Sequence, residues 1–193
     1  MQDSENSQPA VVEFETARLD AFLRAGISGL SGAMRIERIA GGQSNPTFFV
    51  TYDNRRLVLR KKPPGELLPG AHAVEREARI MSALAGSRAP VPPVVLFHAD
   101  DDVVGTPFFV MERVEGRVFH DTTLPGVAPA RRRDMYFAMA ETLAALHDVD
   151  WAGAGLADYG RAGDYFARQI ARWSKQFRAT QWREIPDLDR LID

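Results

Sequence analysis

The chain has 193 residues, 45% hydrophobic and 26% charged, the composition of an ordinary globular protein with enough apolar material for a real core. Lys and Arg number 24 against 26 Asp and Glu, and the resulting net charge of -2 removes the global basic field on which non-specific nucleic-acid binders rely. The absence of cysteine excludes disulfide frameworks, thiolate metal sites and thiol nucleophiles.

No stretch approaches the roughly 20 consecutive apolar residues of a membrane helix. Met1 to Ala10 is polar where a signal peptide would be apolar, so this segment reads as a leader without chemistry and the expected location is cytoplasmic. Leu19, Phe22 and Leu23 then recur at helical spacing between Thr16, a predicted cap, and Gly26, a predicted stop, giving a short amphipathic helix over Thr16 to Ala25.

The pattern next turns to strands. Met34 to Ala40 and Thr47 to Tyr52 flank the loop Gly41-Gly42-Gln43-Ser44-Asn45-Pro46, and a turn at Asp53-Asn54-Arg55 leads into Arg56 to Lys61. This predicts a three-stranded antiparallel meander in which Leu57, Leu59 and Lys61 face one way and Val58 and Arg60 the other. Breaks at Pro63-Pro64-Gly65 and Pro69-Gly70 precede a helix over Ala71 to Ala85, stopped by Gly86. A proline-rich connector then enters a second strand pair, Val94 to His98 and Pro107 to Val114.

Beyond Gly116 the sequence reads as helical. Pro129 to His147 places Met135, Met139, Leu143 and Leu146 on one face, and Asp164 to Phe177 does the same with Tyr165, Trp173 and Phe177. Pro186-Asp187 opens a last helix whose apolar repeat has barely begun at Asp193, which predicts that the chain is the front part of a longer protein. Strands first and helices later make an α+β architecture: a leader over 1–10, a sheet lobe over 11–115 and the start of a helical lobe over 116–193.

Glu77 stands inside the apolar stripe of its helix, three residues after Val74 and four before Met81, so its carboxylate is expected to face the interior and to need a cation. Arg60 is the candidate, either as a purely structural ion pair or as part of a ligand site. Gly41-Gly42 by itself reads first as a hairpin turn; the other reading is a loop whose bare N–H groups approach a phosphate, helped by the Ser44 hydroxyl and the Asn45 amide. The order of the parts favours a site: glycine loop, strand cation, helix carboxylate, then a strand ending in Met111-Glu112-Arg113-Val114.

That order is the nucleotide lobe of protein-kinase-like phosphotransferases. The runs Gly41 to Thr47, Leu57 to Gly65 and Val74-Glu75-Arg76-Glu77 together resemble the aminoglycoside phosphotransferase and choline kinase superfamily, and within it the phosphotransferase-like domains fused to, or encoded beside, acyl-CoA dehydrogenases. The resemblance runs from about Met34 to the end of the chain. It implies a five-stranded antiparallel sheet lobe with one main helix, followed by part of a helical lobe, and it implies ATP with Mg2+ as cofactors.

By the same resemblance Gly41, Gly42, Gln43, Ser44 and Asn45 would lie over the ATP phosphates and Val58 would touch adenine. Arg60, where many kinases have lysine, would hold the α and β phosphates, with Glu77 orienting it. Arginine keeps the charge and substitutes a planar fork; Lys61, the competing assignment, points to the opposite face. Met111 would close the back of the adenine pocket, and the Glu112 carbonyl and Val114 N–H would form the hinge hydrogen bonds.

The implied reaction moves the γ-phosphoryl of ATP to a hydroxyl of a small metabolite, such as a hydroxyacyl-CoA. Lys61, Lys62 and the prolines after them stand where they would attract such an anion. The family's His-x-Asp loop with a following asparagine, and its magnesium-binding Asp, have no counterpart in this sequence. His147-Asp148-Val149-Asp150 ends a helix and no asparagine follows it, so His147 reads as a helix-terminal residue satisfying the last carbonyls. No catalytic residue is therefore assigned within the chain, and the metal ligands are expected beyond residue 193. The alternative is a non-catalytic nucleotide-binding or interaction module that partners an acyl-CoA dehydrogenase. Arg131-Arg132-Arg133 reads as a solvated face or an anion site, and Asp164, Tyr165, Arg168 and Arg172 as packing or a substrate pocket.

Overall fold

The computed structural model describes residues 12–39, 45–65, 71–160 and 163–192, so the leader and the glycines and serine of the predicted phosphate loop, Gly41 to Ser44, lie outside the described residues. Five strands, β1 (Arg35–Arg38), β2 (Thr47–Thr51), β3 (Arg56–Lys61), β4 (Val94–His98) and β5 (Phe108–Glu112), form one antiparallel sheet in the order β1-β2-β3-β5-β4. The meander is as expected from the alternation of apolar residues, and the five-stranded sheet is what the resemblance implies. A register shift between Val94 and Leu96 bulges β4 against β5.

Helix α1 (Thr16–Gly26) covers one face of this sheet and α2 (Val74–Ala83) packs on the other. On the first face Leu19 and Leu23 meet Phe48, Val50, Tyr52, Leu57, Leu59, Phe108 and Val110, every second residue of three adjacent strands. On the second face Val74 and Ala78 close over Phe109, with Met81, Val94 and Met111 around them. A sheet covered on both faces explains why Leu57, Val58 and Leu59 are buried in succession along β3.

Several boundaries differ from expectation for local reasons. Thr16 does not cap α1: the extended residue at the cap is Glu15, whose side chain makes no capping bond and whose carbonyl accepts from the Leu19 N–H at 3.3 Å. Strand β1 is confined to Arg35–Arg38, the residues opposite Thr51 to Phe48. Helix α2 begins at Val74 instead of Ala71, because His72 has φ 57 and the preceding turn cannot be helical. Residues 117–128 are turns and extended chain, not helix, with Leu124 and Gly126 at positive φ.

Helix α3 (Pro129–His147) follows, with proline in its first turn as such helices favour. By its contacts the chain divides into two compact units, Met1–Asp150 and Trp151–Asp193. The second holds one wide helical turn, Ala152–Leu156, in which the Leu156 N–H reaches the Trp151 carbonyl, then α4 (Tyr165–Thr180) and α5 (Pro186–Ile192). No helix among the described residues is long and apolar enough to cross a membrane.

Candidate functional site

Register places Thr47 of β2 directly opposite Arg60 of β3, on the sheet face that carries α2. Glu77, one turn into α2, projects back toward them. Arg60 Nε donates to Glu77 Oε2 at 2.6 Å, and Arg60 Nη1 donates to Thr47 Oγ1 at 3.0 Å. Thr47 Oγ1 in turn donates to the Asn45 carbonyl at 2.9 Å, and Asn45 Nδ2 donates to Glu77 Oε1 at 2.7 Å. The four residues close a ring of hydrogen bonds around one ion pair.

The pairing of Arg60 with Glu77 is therefore as expected, but its setting is not. Glu77 keeps 37% of its side-chain surface and Arg60 keeps 30%, so the pair sits at the rim of the α2 contact instead of in the interior. Helical period fixes which face a residue occupies, not how far the neighbouring sheet extends over it. Asn45 also departs from expectation. Its residue surface is only 2% exposed, and its amide is committed to Glu77 on one side and to His72 Nδ1, 3.0 Å from Oδ1, on the other.

A guanidinium carries five N–H donors, and the ring uses only Nε and one on Nη1. The remaining edge of Arg60 has no partner among the described residues. A partly exposed guanidinium whose fork is unspent among the described residues, with a carboxylate behind it, can receive an anion bidentately.

Beside this cation the same face is apolar. Phe49, Val58 and Met111 lie in one row across β2, β3 and β5, continued by Val94 of β4. The Arg113 guanidinium covers the Phe49 ring, 3.9 Å from its centroid.

Backbone chemistry at the end of β5 follows from one residue. The Arg113 N–H bonds the Arg56 carbonyl on the β3 side, whereas the Glu112 N–H points to the other edge and bonds the Pro93 carbonyl at 2.9 Å. Residue 93 is proline and has no N–H to return, so the Glu112 carbonyl lacks its ladder donor. The Glu112 side chain is meanwhile held by Arg55 at 2.5 Å.

Lys61 lies on the opposite face, as alternation predicts. It is 3% exposed, its Nζ donates to the Val104 carbonyl at 2.7 Å, and it lies 5.2 Å from the centre of the Phe14 ring. Burial lowers its pKa below the ordinary lysine value, with Glu13 opposing the shift. Lys62 is 3.9 Å from Glu75.

The remaining candidates are used structurally. His147 ends α3, but the last carbonyls are met by the Asp148 N–H, and the imidazole makes no hydrogen bond among the described residues. Arg132 donates to the carbonyls of Val127 and Thr123, tying down the turn before α3, while Arg133 is 3.8 Å from Asp134 in solvent. Arg168 turns back to the Gly163 carbonyl, Arg172 lies over Trp173, Tyr165 packs edge-on against Phe166, and Asp164 adopts a left-handed conformation. Thr47 and His72 are the site residues that sequence reasoning missed: Thr47 was visible as the strand partner of Arg60, whereas His72 sat in a segment read only as a helix start.

Among the described residues no group of three or more His, Asp or Glu gathers to hold a metal ion.

Comparison with known proteins bears on the family and the fold. The model of the phosphotransferase enzyme family matches residues 35–193. A solved structure from Ralstonia eutropha, provisionally described as an aminoglycoside phosphotransferase, superposes with a TM-score of 0.72 at 42% identity, covering 93% of this chain and 52% of that one. Mouse acyl-CoA dehydrogenase family member 10 is 46% identical over 162 residues, 84% of this chain and 15% of its own length. Human acyl-CoA dehydrogenase family member 11 is 40% identical over 185 residues, 94% of this chain and 24% of its own length. The chain thus has the kinase-like fold of the aminoglycoside phosphotransferases and spans about half of that solved chain and a quarter or less of these curated relatives.

Proposed function

The chain belongs to the phosphotransferase enzyme family, and from that premise we propose that it forms the ATP-binding part of a small-molecule kinase, which moves the γ-phosphoryl of ATP to a hydroxyl of a metabolite such as a hydroxyacyl-CoA. The observation that carries this reading is the Arg60 fork, fixed by Glu77 at 2.6 Å with its outer N–H groups unspent among the described residues. In this reading the fork takes the α and β phosphates. The adenine ring lies along Val58 and Met111 and donates to the Glu112 carbonyl that Pro93 leaves free, and the Val114 N–H answers it. Gly41, Gly42, Gln43 and Ser44 cover the phosphates. The sheet lobe of this reading ends near residue 115, and the helical lobe begins there.

ATP brings the transferable phosphoryl group; the chain's own residues bind and orient it, and no transfer step is assigned to residues 1–193. The acyl-CoA direction of the substrate rests on the names of the relatives. The test is calorimetric titration of Mg-ATP into the wild-type chain and Arg60→Ala. Charge-assisted contacts of this kind predict a loss of roughly 10- to 100-fold in affinity, and equal affinities would refute the role of Arg60.

A second reading is an interaction module that partners an acyl-CoA dehydrogenase without transferring phosphate. Its support is the likeness to acyl-CoA dehydrogenase family members 10 and 11. It predicts a stable complex on co-purification and no ATP turnover with hydroxylated acyl-CoA esters.

A further inference from the structure

The hydrogen-bond ring around Arg60 leaves one bond over, and it leads to His72. The Glu77 carboxylate can only accept, so Asn45 must present its NH2 group to Oε1 and its carbonyl Oδ1 to the other side. There Oδ1 meets His72 Nδ1 at 3.0 Å, and an oxygen facing a ring nitrogen is satisfied only if that nitrogen carries the proton. His72 thereby becomes a second clamp on the amide orientation that Glu77 demands, and Asn45 itself is only 2% exposed.

His72 itself occupies a backbone conformation that L-residues avoid, φ 57. Its carbonyl accepts from the Val74 N–H at 2.9 Å where α2 begins. A non-glycine residue held in that region beside a site is a reason to look for a role of its side chain.

We propose that His72 is a positioning residue for the nucleotide site: its Nδ1–H locks the Asn45 amide, which locks the Glu77 carboxylate, which aims the Arg60 fork. This rests on the nucleotide-binding reading for its consequence, but the relay exists as geometry without it. A flipped Asn45 would set its carbonyl against the Glu77 carboxylate and pull the acceptor away from Arg60 Nε.

Two substitutions separate the donor from the backbone. His72→Asn keeps a donor where Nδ1 stands and accepts left-handed φ, whereas His72→Gly relieves the backbone and deletes the donor. With the full chain, the relay predicts that Asn holds Mg-ATP affinity within about twofold and Gly loses roughly 2- to 10-fold, the range of one hydrogen bond. In 15N-edited spectra, His72 carries its proton on Nδ1. The Arg60 Nε–H is protected from exchange in wild type and His72→Asn, and it exchanges freely in His72→Gly.

Wild-type affinity in His72→Gly, or an equal loss in both variants, overturns the relay. If the wild type binds no Mg-ATP, the nucleotide reading falls alone, and the Arg60 Nε–H decides the relay: loss of protection only in Gly upholds it, and unchanged protection in Gly overturns it.

Discussion

The sheet of the first unit and the helices of the second are made of similarly patterned sequence and end in opposite states. Phe48, Leu57, Leu59, Phe108 and Val110 vanish from solvent because the face they share is covered by α1 and by Val103 and Val104. In α4 and α5 no residue is buried, and Phe166, Ile170, Trp173 and Leu191 remain exposed along their apolar sides. A periodic stripe states that a face wants a partner; only tertiary contact supplies one. What differs between the two regions is the presence of an opposing surface.

Matched truncations break that contrast most directly. Leu59→Ala in the sheet should cost about 2 to 5 kcal/mol in urea unfolding, whereas Ile170→Ala on α4 should stay within about 0.5 kcal/mol; equal losses would dissolve the distinction. Next in size is Glu77→Ala, which strands the buried Asn45 Nδ2 and the Arg60 Nε and should destabilise by about 1 to 3 kcal/mol. Lys61→Met probes the charge hidden behind the sheet. Because folding lowers the lysine's pKa, the unfolded chain binds more protons in the window between that lowered value and 10.5, so stability rises with pH there. Urea unfolding across that range should show wild type gaining on Lys61→Met as pH increases, and a parallel pair of curves would refute the assignment. Smallest is Arg133→Ala on the exposed side of α3, expected to change stability by less than about 0.5 kcal/mol.

Much of the sheet was legible because a period of two leaves little choice. Once Leu57 and Leu59 face the core, Lys61 must follow them inward and Arg60 must face the other way, and both do. The ion pair was legible for a related reason: a carboxylate in an apolar stripe needs a cation, and only one strand precedes the helix closely enough. The rest of the site was not, because it depends on contacts far apart in the chain. Asn45 meets Glu77 across 32 positions and His72 across 27, and nothing in a run of Pro, Gly, Ala and His announces a left-handed histidine. The freed Glu112 carbonyl is intermediate, since Pro93 was visible but its place opposite residue 112 required the register of β4 on β5. The capping role given to Thr16 failed by one residue, the distance by which the extended backbone precedes the first turn.

All three tryptophans, Trp151, Trp173 and Trp182, fall in the second unit, and they keep 59%, 56% and 86% of their surface in contact with solvent. The sheet unit contains none. Light absorbed at the red edge of the protein band is therefore emitted from the helical part alone, with the long-wavelength spectrum of wetted indole. Anything that comes to rest on α4 or α5 will shift that colour toward the blue.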